Sequence, residues 1–408
     1  MSQSNCVLRR RRFLRGALDV AATSLGSALL VPAWAQEASQ SVVSKALTPK
    51  AGNYQNILIL VELKGANDGL NTVVPYTDPK YAEIRPKIAL KPDQLLKISD
   101  KEGLHPSLEP LMALWSQKEL AIVQGIGYPR PNQSHFRSIE IWDTASNSED
   151  YLDAGWLART FRSTPVPIKF AADGVVVGSN DMGPLSGLGV RAIALADTAQ
   201  FLRNAKLAKP NQDTRNAALR HLLNVENEIV HASGKMNTNY VFKTEFPKNG
   251  FGYQVRTAAQ LVASKAGTAV VRLTLGGFDT HAGQLGTHAN LLKELADGMV
   301  ALKAAMQELN MWNNTLVMTY AEFGRRAKGN DSNGTDHGTA NVHFLTGGKV
   351  AGGLFGQAPQ LNKLDGNGNL PFAVDFRSLY ATIIDQWWSG DSQSVLSAKF
   401  AHLPVLKA

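Results

Sequence analysis

The segment AEFGRRAKGNDSNGTDHGTANVHF, residues 321–344, gathers a glutamate, two arginines, an Asp-His-Gly and a second histidine around a flexible polar loop. It follows NTLVMTY, which reads as a buried strand, and precedes VHFLTGG, which reads as another. Three more polar groups hold comparable places. Asn67-Asp68 with Asn71-Thr72 follow the apolar run ILILVEL, Ser134-His135 follow ELAIVQGIGYP, and Asp279 and His281 follow VVRLTLGG. In a parallel sheet all strand carboxyl ends share one edge, so groups hundreds of residues apart can meet there. Carboxylates, imidazoles and hydroxyls without thiolates suit zinc, manganese, magnesium or calcium. One or two such ions are therefore the expected cofactor, and a pair best serves hydrolysis or transfer at a phosphate or sulfate ester.

Each group also has a plainer account. Asp68 lies in Asn-Asp-Gly, which favours tight turns whatever the chemistry. Asp279-Thr280-His281 and Ser134 both precede helical patterns and can serve as caps. His288 reads as a surface residue of its helix. Arg325 and Arg326 would pair with surface acids or grip an anion bidentately. Only the joint occurrence at four strand ends favours a site.

The elements that must position these groups alternate strand and helix. Ile57–Leu63 is apolar but for Glu62, as expected of a strand buried on both faces. LHPSLEPLMALWSQKEL has helical spacing and leads to the strand in ELAIVQGIGYP. FGYQVRTAAQLVASK and HANLLKELADGMVALKAAMQEL read as helices flanking the strand TAVVRLTLGG, and FRSLYATIIDQWW as a late helix. The pattern weakens over about residues 150–250, where NQDTRNAALRHLLNVENEIVHA looks helical and an insertion or cap is expected. Strand–helix–strand units imply an α/β fold.

The chain begins with RRRRFLRG, a short apolar stretch and Ala33-Trp34-Ala35, which is the layout of an export signal cleaved after Ala35 rather than of a membrane span. Arg10-Arg11-Arg12-Phe13-Leu14-Arg15 fits the twin-arginine pattern. The expected location is periplasmic or secreted, by way of the twin-arginine export machinery. The single cysteine, Cys6, would leave with the signal. The formal charge is +8, and the signal accounts for half of it through five arginines and one aspartate. The remainder has no basic cluster interleaved with aromatics, which argues against nucleic acid as a partner and for a small-molecule or polymer ester. Residues 36–53 read as a linker and 54–408 as one large α/β domain.

GGFDTH, AEFGRR and NGTDHGTANVHF, with the opening strand and GANDGLNT, resemble the bacterial domain-of-unknown-function family 1501 over most of the chain beyond the signal. That family is similar to the alkaline phosphatase, sulfatase and phosphoglycerate mutase superfamily. The resemblance implies a three-layer α/β/α sandwich with a central, mostly parallel sheet, and two divalent ions beside a Ser, Thr or formylglycine nucleophile. It would make Asp68 a metal ligand after the first strand and Ser134 the nucleophile, with Asp279 and His281 in one metal centre. Glu322 would replace the aspartate of a T-A-D-H-G segment, with Phe323 where its histidine belongs. His337 would be the late histidine of the first centre; alternatively Asp336-His337 is the Asp-His pair and His343 the late ligand. Arg325 would bind non-bridging oxygens. The implied activity is that of an exported metal-dependent hydrolase of phosphate or sulfate esters; the alternative is a degenerate relative that binds or assembles in the envelope.

Overall fold

Strand β1, Ile57–Lys64, sends Ile57, Ile59, Val61 and Leu63 into one hydrophobic core and Leu58 and Leu60 into another. Side chains alternate across a strand, so a strand mostly apolar on both faces needs a packed layer on each. The structure is a computed structural model and describes residues 52–195 and 240–407. The expected signal and linker, up to residue 51, and the helix expected at 211–232 lie outside the described residues. Among those described, no helix is long and apolar enough to cross a membrane.

The remaining strands in chain order are β2 (Val73–Val74), β3 (Leu96–Lys97), β4 (Gly103–Leu104), β5 (Leu120–Gly127), β6 (Gly174–Val177), β7 (Ala192–Leu195), β8 (Val270–Gly276), β9 (Thr315–Tyr320), β10 (Arg325–Gly329), β11 (Thr335–His337), β12 (Asn341–Thr346), β13 (Gly353–Gly356) and β14 (Val374–Asp375). Nine of them form the main sheet in the order β13-β5-β12-β9-β1-β8-β6-β7, with β14 beside β5. All its pairings are parallel except those of β12, which runs antiparallel to both β5 and β9. Strands β6 and β7 come from the weakly patterned stretch and extend the sheet at one edge.

The main helices are α1 (Gly69–Thr72), α2 (His135–Thr144), α3 (Trp156–Ser163), α4 (Gly250–Ala263), α5 (Gln284–Glu308) and α6 (Arg377–Thr382). On one face of the sheet α4 and α5 contribute Phe251, Val255, Leu292, Leu295, Met299 and Met306; on the other α2, α3 and α6 contribute Ile141, Trp142, Trp156 and Tyr380. The result is the expected three-layer α/β/α sandwich. The spacing of LHPSLEPLMALW is realised first as a 3-10 turn over Pro106–Leu111 and only then as an α-helix, because Pro110 inside the turn donates no amide.

The loops leaving β1, β5, β8 and β9 emerge at the same edge. The hairpin of β10 and β11 folds over them, with Arg325 opposite His337.

Candidate metal centre

Arg325 organises this edge. Its guanidinium is fully buried and donates to the carbonyls of Gly65 (2.6 Å), Ala66 (2.9 Å), Phe278 (3.0 Å) and Thr335 (3.2 Å), and to Asp279 Oδ1 (2.5 Å). It thereby ties the ends of β1 and β8 to the hairpin. The sequence suggested that it would face substrate oxygens, but each of its nitrogens already serves the protein, so its role here is to lock the loops and Asp279. Gly65 permits the closeness: its φ is +106°, and a Cβ there would sit 2.4 Å from the Asp279 amide.

Three imidazoles surround Asp279. His135, the first residue of α2, donates from Nδ1 to Glu322 Oε1 at 2.7 Å and brings Nε2 to 3.4 Å from Asp279 Oδ2. His337, at the end of β11, donates from Nδ1 to the Gln133 carbonyl at 2.9 Å, and its Nε2 lies 3.3 Å from Asp279 Oδ1. His281 places Nδ1 3.5 Å from Asp336 Oδ1, and its Nε2 is 3.1 Å from Asp279 Oδ1 and 3.0 Å from His337 Nε2. Each ring thus has an oxygen at Nδ1 and sets Nε2 against the Asp279 carboxylate, His135 at Oδ2 and the other two at Oδ1. Metal-ligating histidines are oriented in this way, by a carboxylate or carbonyl on the nitrogen that does not bind.

The spacing suits a small divalent ion. A tetrahedral zinc site holds its ligand atoms roughly 3.3 Å apart, and the contacts about Asp279 run from 3.0 to 3.4 Å. His135 Nε2 is buried without a hydrogen-bond partner. Donor atoms of His135, Asp279 and His337 all lie within 4.8 Å of one another.

The electrostatics favour the ligand-ready form at Asp279 and His337 but not at His135. Burial would raise the Asp279 pKa, but its hydrogen bond and charge contact with Arg325 outweigh this and keep the carboxyl below its usual range. Burial lowers the His337 pKa against the opposing bond to Gln133. His135 is shifted upward, chiefly by its hydrogen bond to Glu322 with burial opposing. Protons therefore leave His337 readily, whereas Glu322 holds His135 toward its protonated form, from which a metal would have to displace the Nε2 proton.

Glu322 does not reach the centre itself. Its Oε1 accepts from His135 and from the Gly65 amide at 3.0 Å. Glu322→Gln should keep the fold and weaken metal binding by about 10- to 100-fold, the usual effect of losing an outer-shell partner. Equilibrium dialysis against zinc measures this, and an unchanged affinity would show that Glu322 does not orient His135.

Asp68 stands apart. It caps α1 through the Leu70 amide (3.2 Å) and takes bonds from Arg85 (2.6 Å) and Gln284 (2.5 Å), all in the interior. Its oxygens are committed to this network rather than to the imidazole centre. His288, expected on a helix surface, is 1% exposed and bonds Asn67 at 2.9 Å, with its pKa pushed down to about 3 by burial. His343, the alternative late ligand, is fully buried against Trp142 and neither ring nitrogen has a partner. Phe323 is buried, with its ring 4.9 Å from those of both His135 and His337, and so forms an apolar wall where the resemblance would have a second centre's histidine. Asp336 is half exposed and accepts from Asn330 at 3.2 Å. Ser134 is exposed at the N-cap of α2, and its hydroxyl makes no capping bond.

The sequence offered Ser134-His135 as one group, but the place of His135 beside Asp279 was not foreseen. The available signal was its place one residue beyond the candidate nucleophile, at a helix start after β5.

This chain belongs to the family described as Protein of unknown function (DUF1501), which it matches over residues 55–398. No curated protein matches it. Similar solved structures include the C-terminal periplasmic domain of EcEptC from Escherichia coli in complex with Zn (8% identity, 72% of this chain and 73% of that one, TM-score 0.39). A protein in the alkaline phosphatase superfamily from Vibrio parahaemolyticus is 10% identical over 74% of this chain and 63% of that one, with TM-score 0.35. The phosphonate monoester hydrolase SpPMH from Silicibacter pomeroyi is 11% identical over 85% and 78%, with TM-score 0.36. Likenesses this loose carry nothing about chemistry, which rests on the side chains themselves.

Proposed function

We propose that this protein is an exported metal-dependent hydrolase of phosphate or sulfate esters that works with a single divalent ion. The observation that carries the reading is the convergence of three Nε2 atoms on Asp279, each ring anchored through Nδ1. His135, His281, His337 and Asp279 would hold the ion, which when bound would polarise the ester and neutralise developing charge. Asp279, His281 and Asp336 are each nearly half exposed, so the centre opens to solvent and to a substrate. Ser134 Oγ, uncommitted and adjacent in sequence to His135, would attack phosphorus or sulfur as the ester bond breaks. Arg325 keeps Asp279 ionised and in place. Gln133, through its carbonyl, fixes the His337 ring and with it the direction of Nε2.

The test is turnover of aryl phosphate, phosphodiester and aryl sulfate by the purified chain loaded in turn with zinc, manganese, magnesium and calcium. Metal-dependent turnover abolished by a chelator is expected. No turnover with any metal rejects the hydrolase reading. Phe323, standing where a second centre would need its histidine, favours one further reading, that of a degenerate relative with a binding role in the envelope; stoichiometric metal without turnover would select it.

A further inference from the structure

A cavity of about 370 Å³ lies beside the metal centre and is separate from it. Leu70, Val73, Val342, Leu370 and Phe372 give it apolar walls, and neither Asp279 nor any of the three imidazoles lines it, although Arg325 borders both. The fold departs from regularity here twice. Asn341 pairs with Ile126 while Val342 pairs with Gln124, leaving Gly125 bulged at φ +65°; bulges recur beside binding sites. The opposite wall comes from residues 357–373 between β13 and β14. That connection exceeds the roughly 12–15 residues beyond which an irregular loop in a compact domain is uncommon unless functional. At the rim stands Lys363, exposed, whose ammonium makes no hydrogen bond or ion pair among the described residues.

We propose that this cavity is a second ligand site, for a small organic anion whose apolar body fills the pocket and whose acidic group meets Lys363. Apolar walls with few polar groups are the usual make-up of small-molecule sites, and the unpaired ammonium sets the sign of the ligand's charge. Nothing in the hydrolytic reading requires it.

The probes are 8-anilinonaphthalene-1-sulfonate and the uncharged N-phenyl-1-naphthylamine, titrated by fluorescence into the full folded chain. Saturable binding of the sulfonate at one per chain is expected. It should bind up to about fivefold tighter than the neutral probe, the upper range for one exposed charge, and the preference should fade at high salt. Lys363→Gln should abolish the preference with an unchanged melting temperature, Ala358→Trp should block both probes, and Lys349→Gln, on another surface, should change nothing. Equal affinity for the two probes, binding undiminished in Ala358→Trp, or the same loss in Lys349→Gln would overturn the proposal.

Discussion

A Ser134→Ala variant is expected to bind metal as the parent does and to hydrolyse ester roughly 10³-fold or more slowly, as enzymes do on losing a nucleophile. His135→Ala is expected to lose turnover and to bind metal far more weakly. The contrast follows from two neighbouring residues with different duties. The Ser134 hydroxyl is exposed and makes no capping bond, so its removal costs the fold little. The His135 ring supplies a buried Nε2 aimed at Asp279 and is the partner of Glu322. Since loss of an outer-shell partner alone weakens metal by about 10- to 100-fold, loss of the ligand should exceed 100-fold. Metal content and turnover measured on the same preparations separate the outcomes. Full turnover in Ser134→Ala would remove that residue from the chemistry, and an unchanged metal affinity in His135→Ala would remove His135 from the centre.

The second large effect is on stability. Asp68→Asn should destabilise the chain by about 3–5 kcal/mol, because it leaves the fully buried Arg85 guanidinium without its counter-charge. The other partners of Arg85, the carbonyls of Ala327 (2.7 Å) and Arg326 (2.9 Å) and the side-chain oxygen of Asn71 (2.8 Å), are neutral. Burial raises the Asp68 pKa, but the charge and hydrogen bond of Arg85 reverse that and leave it below the ordinary value. A depressed folded pKa means stability that is complete above the unfolded value, about 3.9, and lost as pH falls through the folded one. Asp68→Asn should therefore flatten the acid limb of the stability curve, as chemical denaturation from pH 6 down to pH 2 would show. Its metal affinity should match the parent's; loss of metal without loss of stability would return Asp68 to the ligand set.

Much of this architecture was legible because strands buried on both faces are mostly apolar. Ile57–Lys64, Val270–Gly276 and Thr315–Tyr320 declare themselves in this way in spite of Glu62 and Arg272, which pair with each other at 2.8 Å in the interior, and the polar residues following each strand mark the edge of the sheet. The direction of β12 was not legible, since a strand buried on both faces looks alike in parallel and antiparallel pairing. Nor was the division of labour among the acids. Whether Asp68 or Glu322 binds metal depends on partners folded against them, Arg85 in one case and His135, 187 residues away, in the other. His288 was misjudged for the same reason: helical spacing gives the angle of a side chain, while the Asn67 turn that buries it comes from another strand end.

The most direct measurement is X-ray absorption at the metal edge of the chain with its bound ion, set beside His135→Ala. The account expects one ion per chain with three imidazoles and a carboxylate oxygen in its shell, and the imidazole scattering reduced by a third in the variant that still retains metal at saturating concentration. A shell of oxygen alone, or an imidazole signal untouched by the loss of His135, would contradict it.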